Sequence, residues 1–252
     1  DSAFSCCALT DLTIPDSVKS IGNWAFNNLT QITSITIGAG VETISTSTYF
    51  YENPFYGCSS VKQITFRGKE APVYSSNMFH SMVTLKTVYV PADSYTKHAT
   101  AIMDNLPSTT RIQCMGDTEV FLIREDVLVA YLGDETAVQI PEGVTAIGNA
   151  AFINNTTLTS VEIPDSVTSI GDCAFRGCTT LRGTLQLPGN LTFIGSSAFR
   201  ECKNLTGDLI IPDNVTTIGS RAFYNCSGLN GILKLSSSLT AVNMETFYGC
   251  SK

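Results

Sequence analysis

The stretch IPDSVTSIGDCAFRGC, residues 163–178, sets the pattern for most of the chain and decides its fold. Its closing cysteine is followed by three more at a constant interval of 24 residues, Cys202, Cys226 and Cys250. Such a row of thiols is compatible with a metal array, a disulfide framework, a set of nucleophiles or simple packing. The role of this row therefore bears directly on function.

The stretch is one copy of an internal repeat that runs through the chain. The prolines Pro141, Pro164, Pro188 and Pro212 recur at intervals of 23, 24 and 24 residues. Recurrence at such a period is typical of solenoids, in which each copy forms one coil. Other copies read SITIGAGVETI, AVQIPEGVTAIGNAAF, TLQLPGNLTFIGSSAF, DLIIPDNVTTIGSRAF and ILKLSSSLTAVNMETF.

Each copy can be interpreted as a short strand followed by a corner. Val161 and Ile163 alternate with Glu162, as a strand with one buried face requires. The next residue, a proline, ends the strand because it has no N–H to donate. We expect Gly171 to take positive φ at the corner. One coil cannot bury its own apolar face, so coils stacked at roughly 4.8 Å share a continuous core.

The consensus A-F-x-x-C-x-x-L-x-x-I-x-I-P-x-x-V-x-x-I-G resembles the BspA-like leucine-rich repeats, also called the Treponema pallidum type, of bacterial surface proteins. The resemblance covers nearly the whole chain. It implies an α/β solenoid: a right-handed coil with a parallel β-sheet on the concave face and short 3-10 or irregular segments on the convex face. It also implies a cell-surface or secreted protein, since some members of the family act in adhesion.

Two segments divide the chain. TVYVPADSYTKHATAIMDNL, residues 87–106, resembles the strand and helix that close such arrays, with Asp93 or Ser94 as the helix cap. VFLIREDVLVAYLGDETAVQIP, residues 120–141, resembles the hairpin that opens them. We therefore expect two arrays: 1–115, with its closing cap at about 86–115, and 116–252, with its opening hairpin at about 118–133.

The cysteine row is best explained by packing. The slot three residues after the repeat phenylalanine holds Leu29 and Met82 in other copies, which indicates an apolar interior position. Zinc needs about four ligands around one centre, whereas the repeat spreads its thiols along a line. A disulfide prefers Cβ atoms about 3.8 Å apart, closer than in-register side chains of stacked coils. We expect buried, reduced thiols and no metal site.

Charge and motif content narrow the function further. Lys and Arg number 15 against 22 Asp and Glu, which opposes attraction to nucleic acid or anionic lipid. No apolar run approaches the roughly 20 residues that span a bilayer. The two histidines, His80 and His98, lie in different elements, and no P-loop, nucleophile elbow or HExxH motif is present. We expect no catalytic residue, no cofactor, no nucleic-acid partner and no membrane insertion in this chain.

Candidate binding residues lie on two surfaces. Insertions within residues 45–79 break the repeat and carry tyrosines. Tyr49, Tyr51 and Tyr56, with Tyr89 from the next strand, form the one cluster suited to an aromatic platform. The second surface is the outward row of the later strands: Gln139, Glu162, Gln186, Ile210 and Lys234. Alternatively, the insertions fold back over the core and the row only coats the sheet with β-forming residues.

The favoured interpretation is a non-catalytic, extracellular scaffold that mediates adhesion or protein binding. Its expected partners are host or bacterial surface proteins or the extracellular matrix, with glycans as an alternative. Both termini fall inside a repeat, so we expect a longer array, with the signal or anchor outside this chain. A second hypothesis is a carbohydrate-binding or accessory module of a larger surface protein, and a third is a structural spacer with featureless faces.

Overall fold

The computed structural model describes residues 4, 7–116 and 119–251 of the chain. They fall into two compact units, Asp1–Asp117 and Thr118–Lys252. Each unit is a parallel β-solenoid with little helix, as the repeat predicted. Strands are numbered below in chain order.

The first unit contains two parallel sheets, to which the coils add short strands. In the larger sheet Ile35 pairs with Ile64, and both side chains are buried because alternate strand residues face the core. Its strands are β1 (Asp11–Thr13), β3 (Ser34–Ile37), β5 (Gln63–Phe66), β7 (Thr87–Val90) and β8 (Arg111–Cys114). The smaller sheet consists of β2 (Ser20–Ile21), β4 (Thr43–Ile44) and β6 (Val73–Tyr74).

One α-helix, α1 (Tyr95–Ile102), lies between β7 and β8 in the chain and follows a 3-10 turn, Ala92–Ser94. The residues that it buries are Tyr95, His98, Ala99 and Ile102. The predicted side-chain cap was wrong. Ser94 occupies the N-cap position, but its hydroxyl donates to a main-chain oxygen of the preceding turn at 3.3 Å. Asp93 pairs with Lys69 at 2.9 Å, so the 3-10 turn begins the helix without a side-chain cap.

The second unit opens with an antiparallel hairpin of β9 (Phe121–Arg124) and β10 (Val127–Tyr131). Its loop residues Glu125 and Asp126 take φ of 49° and 62°, which suits a two-residue turn between twisted strands. The hairpin continues into a parallel sheet with β12 (Ala146–Ile147), β14 (Ser169–Ile170), β16 (Phe193–Ile194) and β19 (Thr217–Ile218).

The strand row predicted for the second unit is divided into pairs. These are β11 (Ala137–Gln139) with β13 (Ser160–Glu162), β15 (Arg182–Gly183) with β17 (Asn204–Leu205), and β18 (Leu209–Ile210) with β20 (Leu233–Lys234). Residues 184–187 form no strand, so the prediction of one sheet running through Gln186 was wrong. Gly183, at φ of 80°, turns the chain and moves the paired residues of this coil forward to Arg182 and Gly183.

A column of stacked phenylalanines, one per coil, forms the centre of each core. Phe175, Phe199 and Phe223 are fully buried, with neighbouring ring centroids 5.1 and 5.2 Å apart. In the first unit, Phe4, Phe26 and Phe55 stack at 5.6 and 5.8 Å. The constant repeat length places these rings in register. Each buried ring contributes roughly 1.5–3 kcal/mol of transfer free energy, so the column is a main source of stability.

The corner glycine of each coil permits close approach and does not take the positive φ that we predicted. A Cβ built on Gly171 would lie 2.8 Å from the main-chain nitrogen of Asn149 in the preceding coil. The left-handed conformation is taken instead by Cys173, at φ of 55°, and by Gly177, at φ of 71°. The first of these two positions is also left-handed at Trp24, Ala150, Ser197, Arg221 and Glu245.

Candidate functional site

Five side chains of the first unit form what we call the aromatic patch: Tyr49, Phe50, Tyr51, Tyr56 and His80. Phe50 is its centre, with ring centroids 5.6 Å from Tyr51, 6.1 Å from Tyr56 and 5.0 Å from His80. Tyr49 stacks on Tyr51 at 5.5 Å. The patch therefore joins the insertion at residues 45–53 to the following coil.

The patch faces solvent. Tyr49 is 58% exposed, and Phe50 and Tyr51 are each 45% exposed, which is unusual for rings of this size. None of the three residues in the short 3-10 helix Phe50–Glu52 is buried. The insertion does not cover the core with its rings, and the alternative of a folded-back loop is therefore incorrect.

Buried and half-buried polar groups hold the insertion in place. Asn53, only 1% exposed, donates from Nδ2 to the main-chain oxygens of Asn77 and Met78 at 2.6 and 2.8 Å. The Trp24 indole N–H donates to the oxygen of Tyr51 at 2.6 Å. Glu52 accepts from Ser47 Oγ at 2.6 Å. These contacts order the rings before any partner arrives.

Three of the four tyrosines predicted as a cluster lie together, and the fourth does not. Tyr49, Tyr51 and Tyr56 belong to the aromatic patch. Tyr89 lies in β7, where it pairs with Thr65 of the neighbouring strand, and no ring contact of the described residues involves it. Its position was derived from the strand pattern, which fixes a face of the sheet but gives no distance to an insertion.

A shallow groove in the second unit brings together three of the predicted strand-row residues. Gln139 and Glu162 are register partners of β11 and β13, and Gln186 follows on the next coil. The groove has a volume of about 620 Å³, and the apolar Val161 and Ile163 also line it. Both are half-buried, because the coil of Gln186 does not extend the β11–β13 pair.

The last two row residues lie apart from this groove. Ile210 and Lys234 are register partners in β18 and β20. Ile210 is 41% exposed, and the Lys234 ammonium lies 3.7 Å from a carboxylate oxygen of Asp213. An exposed isoleucine beside a weakly paired lysine is an ordinary surface feature.

Sequence reasoning missed Phe50 and His80 as members of the patch. A usable signal was present, since Tyr56 and His80 both directly follow a repeat phenylalanine, Phe55 and Phe79. The same slot holds Arg200, Tyr224 and Tyr248 in the second unit. There the Arg200 guanidinium lies 5.2 Å from the Tyr224 ring, which stacks on Tyr248 at 5.1 Å.

The repeat, the paired strands and the phenylalanine column agree with one family. The model of the BspA-type leucine-rich-repeat region matches residues 1–109 and 131–252, with 6 copies. The chain belongs to the BspA-type leucine-rich-repeat family. The resemblance inferred from the consensus is thereby confirmed.

Several solved structures are similar to this BspA-type chain at low identity. A leucine-rich repeat protein from Bacteroides ovatus is 20% identical with a TM-score of 0.40, over 99% of this chain and 61% of that one. A leucine-rich repeat protein from Eubacterium ventriosum is 18% identical, with a TM-score of 0.49 over 96% and 80%. The pneumococcal vaccine antigen PcpA is 19% identical, with a TM-score of 0.46 over 97% and 75%. The chain thus spans less than two thirds of the Bacteroides ovatus protein.

No curated protein sequence gives a significant match to the chain. Among residues 4, 7–116 and 119–251, no helix is long and apolar enough to cross a membrane. Within the same residues, no group of three or more His, Cys, Asp or Glu side chains is placed to hold a metal ion.

The cysteine row of this BspA-type array consists of buried thiols that hydrogen-bond to the main chain. Cys58, Cys202 and Cys226 are free and have no exposed surface. Burial raises the pKa of the Cys58 thiol to about 11 and raises those of Cys202 and Cys226 further. A thiol held in its neutral form is a poor nucleophile and a poor metal ligand, so the expectation of packing thiols is met at these positions.

Proposed function

We propose that this chain is a non-catalytic scaffold of a cell-surface or secreted bacterial protein, and that it binds other proteins through the aromatic patch. The observation that carries the proposal is the rigid exposure of Tyr49, Phe50 and Tyr51 on an insertion that leaves the repeat. Exposed aromatic rings are common anchors of protein interfaces. The expected partners are host or bacterial surface proteins or extracellular matrix proteins.

The way the insertion is held supports binding with little ordering cost. Its backbone is fixed by Asn53 and by the Trp24 indole before a partner arrives. Pre-organised side chains lose less conformational freedom on association, which leaves more of the contact free energy for affinity. A surface whose only role was spacing would have no use for such an arrangement.

The charge of the patch favours an apolar contact. None of Tyr49, Phe50, Tyr51 and Tyr56 carries a charge at neutral pH, and the neighbouring Glu52 already accepts from Ser47 and Asn23. The chain as a whole has a formal net charge of −7. Binding through the patch should therefore depend weakly on salt, because screening acts on charge pairs and not on buried apolar area.

A binding screen of the full chain tests the proposal. The chain would be presented to arrays of matrix proteins, surface proteins and glycans, in parallel with a variant carrying Tyr49→Ala, Phe50→Ala and Tyr51→Ala. Tyr248→Ala is the matched control, because Tyr248 is 60% exposed and lies in the second unit. We expect protein ligands that bind the wild type and the control but not the triple variant.

Other outcomes assign the surface differently. Ligands that bind the triple variant as well as the wild type would remove the aromatic patch from consideration and favour the groove of Gln139, Glu162 and Gln186. Ligands found only among the glycans would favour the carbohydrate-binding alternative. Absence of any ligand would favour a spacer.

A further inference from the structure

One of the two histidines, His98, is buried within the closing elements of the first unit. It lies on α1 and has no exposed surface. Its Nε2 lies 2.9 Å from the main-chain oxygen of Gly68, and its ring centroid lies 5.3 Å from that of Phe66. Because a carbonyl oxygen can only accept, Nε2 carries the proton and donates.

The other ring nitrogen has no partner. Among the described residues, no polar atom lies within hydrogen-bond reach of His98 Nδ1, which is buried. In the neutral ring this nitrogen is an unprotonated acceptor, and its isolation is tolerated. Protonation would place a second N–H and a positive charge at the same buried point with no acceptor. That form is strongly disfavoured in the folded state.

Segment 68–74, which runs from the end of β5 into β6, holds α1 through several polar contacts. Tyr74 donates from its hydroxyl to the main-chain oxygen of Ala101 at 2.5 Å. Lys97 pairs with Glu70, and Lys69 pairs with Asp93. Both ion pairs have side chains more than half exposed, so each contributes little. The buried bond of His98 is the one that a mild drop in pH can break.

The charges around His98 do not offset its burial. Burial is the largest influence and lowers the pKa of His98, and Lys97 on its own helix acts in the same direction. The Gly68 hydrogen bond and Glu70 from segment 68–74 act the opposite way, yet the pKa remains lowered. On the β8 side, Arg111 and Cys114 lie near Tyr95, on the same helix as His98.

We propose that His98 makes the closure of the first unit an acid-sensitive latch, which holds α1 on segment 68–74 at neutral pH and releases it in acid. Because the folded state binds this proton less readily than the unfolded chain does, stability falls as the pH drops below about 6.5, the ordinary imidazole value. One proton can change the opening equilibrium by at most about tenfold per pH unit.

Release of α1 would alter the surface beside the aromatic patch. Asn105 and Leu106, shortly after the helix, line a pocket of about 310 Å³ together with His80 and Val83. His80 belongs to both the pocket and the patch. The latch does not depend on the proposed function; only this consequence for binding does.

The experiment uses the full chain, in which these two histidines are the only ones. The imidazole C–H signals would be titrated by NMR in the wild type, in His98→Gln and in His80→Gln, and thermal unfolding would be followed between about pH 7.5 and about pH 5. His80→Gln is the matched control and assigns the remaining signal to His98. No binding partner is needed, so failure of the proposed function would leave the test intact.

We expect the His98 signal to titrate below about 6.5 and the first unit to lose stability over this range in the wild type and in His80→Gln. In His98→Gln, which keeps a neutral donor, that loss should be reduced. A His98 midpoint at or above the ordinary value would overturn the proposal, as would an unchanged pH dependence in His98→Gln. If His98→Gln fails to fold, the wild-type titration decides.

Discussion

The thiol of Cys202 donates a hydrogen bond of 3.1 Å to the main-chain oxygen of Phe175, which lies one coil earlier. Cys226 makes the same contact with Phe199 at 3.1 Å. Each of these cysteines thus links its coil to the preceding one beside the phenylalanine column. Leu29 and Met82 fill the same slot by packing alone, whereas cysteine is small and also satisfies a buried carbonyl.

The buried thiols should resist alkylation in the folded protein. Burial raises the pKa of Cys202, and the thiolate is the reactive form. We expect iodoacetamide at neutral pH to label the exposed Cys7 but not Cys202, and to label both after denaturation. Mass spectrometry of labelled peptides gives the rates. Equal rates for Cys7 and Cys202 in the folded chain would contradict the packing role.

Gly195→Ala should destabilise the second unit. A Cβ at this position would lie 2.6 Å from the main-chain nitrogen of Asp172, and the backbone of the neighbouring coil must then shift. We expect a loss of about 1–3 kcal/mol in the free energy of unfolding, measured by urea titration. Gly189→Ala is the control, because no atom lies within 4 Å of its added Cβ. Equal losses in both variants would contradict the close-approach explanation.

The phenylalanine column can be tested within one coil. Phe199 is fully buried between two other rings, whereas Phe193 is 38% exposed in β16. We expect Phe199→Ala to reduce the free energy of unfolding by about 3–5 kcal/mol, and Phe193→Ala to reduce it by less than about 1.5 kcal/mol. Calorimetry or urea titration measures both. A similar loss for the two changes would show that the column is not the main stabilising feature.

Asn53→Ala should loosen the insertion without removing any ring of the aromatic patch. The change deletes two hydrogen bonds to main-chain oxygens and leaves buried carbonyls without their donor, at about 1–3 kcal/mol. We expect faster chymotrypsin cleavage near Tyr49 and Tyr51 than in the wild type. Asn190→Ala, which removes an exposed amide bond to the preceding coil, serves as the control. Unchanged cleavage in Asn53→Ala would mean that other contacts hold the loop.

The fold was predictable because the repeat length is nearly constant. A fixed interval places Phe175 over Phe199 and Cys178 before Cys202, so coil-on-coil register follows from counting. The role of Gly171 was not predictable in the same way. Positive φ and close backbone approach both select glycine, and only the position of Asn149 in the neighbouring coil separates them.

Irregular segments were harder to predict for a similar reason. Sequence indicated that Tyr49, Tyr51 and Tyr56 belong to an insertion, but the path of an insertion depends on contacts such as Asn53 with the following coil. The Phe50–His80 contact therefore emerged only from the structure. Gln186 left the predicted strand because Gly183 redirects the chain locally, which the average repeat does not reveal.

An equilibrium titration of Phe50→Ala against a protein ligand from the screen tests the central claim most directly. Phe50 contacts Tyr51, Tyr56 and His80, so its loss removes the centre of the aromatic patch. We expect Kd to rise at least about tenfold, or about 1.4 kcal/mol, with an unchanged melting temperature and with Tyr248→Ala binding as the wild type does. Wild-type affinity in Phe50→Ala would contradict binding through the patch.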